Sequence, residues 1–212
     1  MAHTAYRLLV ALVLLAGGAI AAYEPLLDNR ALDEAVAIGQ SRIETRRIRF
    51  HQTYRLPVGR GPVDSVDLVT PFRRVVLAAE AGARAGDRIF SQREARAAVN
   101  DGNRIDLVVE LTFHPLNVLV TMPSYTVTLT AAGIPIIHPR AVEQTPRYGP
   151  RIDGVPSPGG APAAPGSQPM LGGTVTSQFD GRLLRPNGVY DAVISEAGKE
   201  LARASVDLGK LR

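Results

Sequence analysis

The sequence predicts a mainly β chain: an antiparallel β-sandwich of immunoglobulin-like type with a short helical insertion, following an N-terminal signal peptide. Three observations predict it. From Ile105 onward, apolar and polar residues alternate with the period of two that sends successive side chains to opposite faces of a strand. Turn signals such as Pro186-Asn187-Gly188 and Ala197-Gly198-Lys199 interrupt that alternation at short intervals, as they do between the strands of a sandwich. Between an early β segment and this later one, two helix starts are written in capping residues. A closed barrel is the alternative arrangement, because closure is not encoded in alternation.

The elements follow in order. Asp28 or Asn29 can cap a helix, and Leu32, Ala35, Val36 and Gly39 then recur on one face. From Arg46 the period changes. Ile48, Phe50, Tyr54 and Leu56 alternate with Arg47, Arg49, His51 and Arg55, which predicts a half-buried strand ended by Pro57, Gly59, Gly61 and Pro62. A short strand is expected over Val63 to Val69. Thr70-Pro71 opens a helix with its apolar face on Phe72, Val75, Val76 and Ala79 and its stop at Gly86. Ser91-Gln92-Arg93-Glu94 is a capping box starting a second helix that runs to about Asn100. These two make the insertion, about 71–100.

Strands are then expected over Ile105 to Phe113, Leu116 to Met122, Tyr125 to Ala131 and Ile134 to Ile137. A Pro/Gly-rich stretch, about 146–170, has almost no apolar bulk and reads as a flexible loop. Thr174 to Phe179, Val189 to Ser195 and Leu201 to Leu208 complete the set, the last two as a hairpin. Three strands are marginal for independent stability without a larger core. Residues 23–212 are therefore expected to form one β-rich domain.

The opening residues carry one cation, Arg7, before an unbroken apolar run from Leu8 to Ala16. Ala19-Ile20-Ala21 has the small–x–small spacing that signal peptidase reads, so residues 1–22 are expected to be a signal peptide cut after Ala21 or Ala22. An uncleaved anchor is the alternative, although the run is shorter than the ~20 residues of a spanning helix. No Cys follows it and no twin arginine precedes it, which leaves the general secretion route and an extracytoplasmic place, periplasmic or secreted.

Composition excludes several functions. The 212 residues include no Cys, which removes thiol catalysis, thiolate metal sites and disulfides. The net charge of +4 falls to +3 without Arg7, too modest a surplus to expect a nucleic-acid partner. Catalytic signatures are missing: there is no Gly-x-Ser-x-Gly, Ser-x-x-Lys or His-Glu-x-x-His. Asp64, Asp67, Asp106 and Glu110 could approach one another, but nothing in the sequence specifies a pair.

Two constellations remain. Outside the leader the histidines are His51, His114 and His138, which are the candidate metal ligands. Their spacing matches no metal motif, and Glu110 lies about 13 Å from His114 along one strand at ~3.3 Å per residue. No metal or other cofactor is expected. The second is the basic stripe Arg47, Arg49, His51 and Arg55, which could meet an envelope protein or an anionic envelope surface. The same charges would also guard an edge strand against pairing.

The sequence thus points to an exported, non-catalytic β-sandwich protein that binds another envelope component, with Arg47, Arg49 and Arg55 as binding residues. The alternative is a small extracytoplasmic metal-binding protein or hydrolase using the histidines. A third reading is an assembly subunit that adds an edge strand to a partner. The threonines 126, 128 and 130 read as an ordinary solvent-facing strand side.

Overall fold

The structure, a computed structural model, describes residues 23–86, 90–114, 117, 119, 121–149 and 170–212. The expected signal peptide, residues 116, 118 and 120 and most of the Pro/Gly-rich stretch lie outside the described residues, and the described residues 117, 119, 121 and 122 of the strand expected over Leu116 to Met122 are not in a strand. Among the described residues strand outweighs helix, in two antiparallel sheets and four α-helices. None of these helices is long and apolar enough to cross a membrane.

Three helices form where their caps predict them. Helix α1 (Asn29–Gly39) starts at Asp28, whose carboxylate accepts from the Ala31 N–H at 2.7 Å. A second helix, α2 (Glu44–Gln52), follows and is taken up below. Helix α3 (Pro71–Ala85) starts at Thr70, whose hydroxyl accepts from the Arg73 N–H, and stops at Gly86 in the left-handed conformation, φ +94°. Helix α4 (Gln92–Ala98) carries the complete Ser91/Glu94 capping box. Ala31, Leu32, Ala35 and Ile38 of α1 pack on Phe72, Val75 and Val76 of α3, with Ala95 of α4 beside them. The α1–α3 crossing depends on Gly39: a Cβ there would stand 2.5 Å from the Val76 carbonyl oxygen.

The first sheet has the order β1 (Arg55–Arg60), β2 (Val63–Val69), β3 (Arg104–Thr112), β7 (Met170–Asp180), β6 (Ala141–Tyr148). The second has β5 (Ile134–Ile137), β4 (Tyr125–Ala131), β8 (Val189–Glu196), β9 (Lys199–Asp207). Alternation sorts the faces as expected. Leu107, Val109, Leu111, Val175 and Phe179 of the first sheet share one core with Val127, Leu129, Tyr190, Ile194 and Val206 of the second. On the opposite face of the first sheet the register aligns Arg55, Asp67, Val108, Thr176 and Glu143 across all five strands.

Two further expectations are corrected. Residues 44–52 are helical, so the strand expected from Arg46 reduces to β1, starting at Arg55. Alternating apolar residues misled here: Ile48 is an exposed residue of α2, and Phe50 and Tyr54 reach the cores from a helix and the turn after it. Glu44 in the first turn and Arg49 and His51 in the last complement the helix dipole. The second correction is β6, which takes Pro146, Arg147 and Tyr148 from the stretch expected to be loop. A proline is tolerated because of where its nitrogen points. The Phe113 N–H donates to the Leu171 carbonyl, so residue 171 and every second residue after it on β7 turn to β3. Residues 172, 174, 176 and 178 then bond β6, and Pro146, opposite Gly173, turns its missing donor to the open edge.

Candidate functional site: an arginine-lined cleft

Helix α2 places Arg47 and His51 one turn apart on the side that faces α3. Both meet Glu80. His51 Nε2 lies 2.9 Å from Glu80 Oε1, Arg47 Nε lies 3.7 Å from the same oxygen, and Arg84 Nη2 donates to Oε2 at 3.1 Å. Glu80 sits on the apolar side of α3, and its side chain is only 6% exposed. Three cationic or hydrogen-bonding partners compensate its burial.

A second carboxylate stands beside the first. Arg73 Nη2 donates to Asp67 Oδ1 at 2.9 Å, Arg73 Nη1 donates to the Leu68 carbonyl at 2.6 Å, and its guanidinium lies 5.2 Å from the Tyr54 ring centroid. Arg55, from β1, donates to Glu110 at 3.2 Å and lies 3.8 Å from Asp67. Apart from Glu110, Tyr54 and Leu68, these residues line one cleft of about 350 Å³, with Glu44, Ile48 and Gln52 at its α2 wall.

The cleft has a vertical order of charge. Glu80 and Asp67 are 6% and 17% exposed, whereas Arg47, Arg55 and Arg84 are 32%, 54% and 78% exposed. Glu80, Asp67 and the buried Arg73 form the floor, and the guanidiniums of Arg47, Arg55 and Arg84 the mouth. Each guanidinium carries five N–H donors in a fixed fork, more than its floor contacts use. The arrangement can hold and orient an anion. His51 spends Nε2 on Glu80, and its Nδ1 is buried without a hydrogen-bond partner.

Of the residues singled out in the sequence, the structure brings together Arg47, His51 and Arg55 and separates Arg49. Arg49 projects from the other side of α2 and lines a different cleft of about 380 Å³, with Ile38, Thr45, Arg46, Phe50 and Thr53. His114 follows β3 and His138 follows β5, each on a different element from His51. No group of three or more His, Asp or Glu side chains is arranged to hold a metal ion among the described residues. Of the four strand carboxylates, Asp64 accepts from Thr112 Oγ1, Asp106 meets Arg74 and Arg104, and Asp67 and Glu110 share Arg55.

Sequence reasoning missed Arg73, Glu80 and Arg84. A signal for them existed. Glu80 falls four residues after Val76 and one after Ala79, on the helix face expected to be apolar, so its charge required buried partners. Arg84 stands four residues further on. Also unforeseen is Asp180, at a second polar cleft with Asn100, Asp101, Asn103, Arg140 and Arg182. Hydrogen bonds from the Arg182 side chain and backbone, and the charge of Arg140, push its pKa down to about 2 against the opposing effect of burial.

Compared with protein-family models, with curated proteins and with solved structures, the chain matches none of them. Every assignment of a role therefore rests on its own residues.

Proposed function

We propose that this is an exported, non-catalytic binding protein, and that the cleft between α2, α3 and β1 receives an anionic group of another cell-envelope component. The observation that carries the reading is the convergence of Arg47, Arg55 and Arg84, from three separate elements, on one cleft mouth. Buried carboxylates hold the guanidiniums in place, which lowers the ordering cost of binding. Arg49, assigned to the same stripe from sequence, belongs to a neighbouring surface and is not part of this site.

Further features support the reading. The locked His51–Glu80 pair favours a binding role over a hydrolytic one, because its remaining nitrogen faces no open space. Pro146 on the outer side of β6 argues against assembly through that edge, since it removes a ladder donor. For the architecture, we infer an immunoglobulin-like β-sandwich: the chain crosses between two antiparallel sheets with a shared core after β3, β5 and β7.

The test is co-sedimentation of the purified chain with envelope material from its own cells, across a salt series. Retention that weakens with salt and falls in Arg47→Gln and Arg55→Gln, but not in Arg49→Gln, is the expected result. Equal retention of all four proteins would remove the cleft from the explanation.

A further inference from the structure

Resting on that reading, we propose that the anion held by the cleft is a phosphate group. Three features of the cleft select among anions. The first is direction: Arg47 comes from α2, Arg55 from β1 and Arg84 from the last turn of α3, so their forks close on the mouth from three sides. A carboxylate is planar and is satisfied by one bidentate fork. A tetrahedral phosphate offers oxygens in several directions and accepts several forks at once.

The second feature is charge. The lining carries Arg47, Arg55, Arg73 and Arg84 against Glu44, Asp67 and Glu80. Arg73, with a side chain 9% exposed, is matched by Asp67 at the floor, and Glu80 is shared among His51, Arg47 and Arg84. Within the lining the one surplus positive charge therefore lies at the mouth, where Glu44 opposes it and Glu110, outside the lining, pairs with Arg55. The third is size. About 350 Å³ takes a phosphate with a small substituent and leaves no room for a polymer chain to be enclosed. The phosphate can belong to a soluble molecule or to a lipid headgroup presented at the mouth.

The experiment titrates the full chain, in a phosphate-free buffer, with inorganic pyrophosphate and separately with succinate, and measures its binding to phosphatidylcholine vesicles with and without phosphatidic acid. Wild type is expected to bind pyrophosphate, phosphatidic acid vesicles, or both, and to prefer them to succinate. Binding should weaken about tenfold or more in Arg47→Gln and in Arg84→Gln, and stay unchanged in Arg49→Gln. Arg84 is 78% exposed, so that variant removes a mouth charge from a chain that still folds. Pyrophosphate binding without vesicle binding assigns a soluble phosphate; the reverse assigns a headgroup. Arg47-dependent binding of succinate at least as tight as pyrophosphate overturns the phosphate assignment and leaves the anion-binding reading standing. Failure of every probe, or equal losses in Arg49→Gln, overturns the phosphate site, and the envelope co-sedimentation then decides the broader reading separately.

Discussion

Asp180 accepts from the Arg182 guanidinium and backbone N–H and pairs with Arg140, and these contacts set its pKa at about 2 against an ordinary 3.8. A carboxylate whose folded pKa is depressed adds stability that is present above its unfolded pKa and is lost as pH falls through the folded one. The window is therefore between about pH 4 and pH 2. Asp180→Asn should lower the melting temperature at neutral pH and flatten its fall across that window, measured by circular dichroism melts at successive pH values. Unchanged steepness would show that other carboxylates govern acid unfolding. Glu94 also has a lowered pKa, from the hydrogen bonds of Ser91 in the capping box, but its full exposure makes it a local contribution to α4.

Helix α2 buries none of its residues fully, and most of its attachment is polar, through His51 and Arg47 to Glu80. Phe50 adds the apolar contact, with ring centroids 5.0 Å from Tyr54 and 6.0 Å from Phe72. Segments with few buried apolar contacts open at low free energy. Glu80→Ala should thus release α2 locally. Hydrogen exchange over 44–52 should accelerate by about fivefold to a hundredfold, as expected for the loss of about 1–3 kcal/mol, while β3 and β7 stay protected. Uniform acceleration over the chain would mean that α2 unfolds only with the rest. The α1–α3 pair behaves differently because it is apolar and tight. Gly39→Ala must push a methyl group against the Val76 carbonyl and the Ala79 side chain. A loss of about 1–3 kcal/mol is expected, read from denaturant midpoints.

At the scale of the whole molecule, the helical core and the core between the sheets meet around Phe50, Tyr54 and the last residue, Arg212. The Arg212 carbonyl accepts from the Tyr54 hydroxyl at 2.8 Å and from Thr70 Oγ1 at 2.7 Å. Its side chain pairs with Glu34 of α1 and lies 5.5 Å from the Phe72 ring centroid. Burial raises the Tyr54 pKa, so the phenol stays protonated and keeps donating through the alkaline range. Tyr54→Phe should cost about 1 kcal/mol. Phe50→Ala should cost about 2 kcal/mol or more and split the thermal transition into two, because it removes the side chain common to both cores. A single sharp transition in Phe50→Ala would show that the backbone connections alone couple them.

The sequence by itself determined the elements whose signals are local. Asp28, Thr70-Pro71 and Ser91 with Glu94 each satisfy backbone donors within their own first turn, so α1, α3 and α4 start where those residues stand. Alternation over Ile105 to Leu111 and Tyr125 to Leu129 likewise fixed which side chains face inward. Tertiary structure decided the rest. Residues 46–56 satisfy a period of two on paper, yet the choice between helix and strand fell to Glu80, a partner 29 residues beyond His51 that only a helical turn brings within reach of both His51 and Arg47. The polar run at β6 became a strand because β7 offers it one open side and asks nothing of Pro146. The cleft follows the same logic. Its arginines were legible as charges, but whether they share a site depends on which backbone angles the chain adopts between them, and long-range pairing sets those angles.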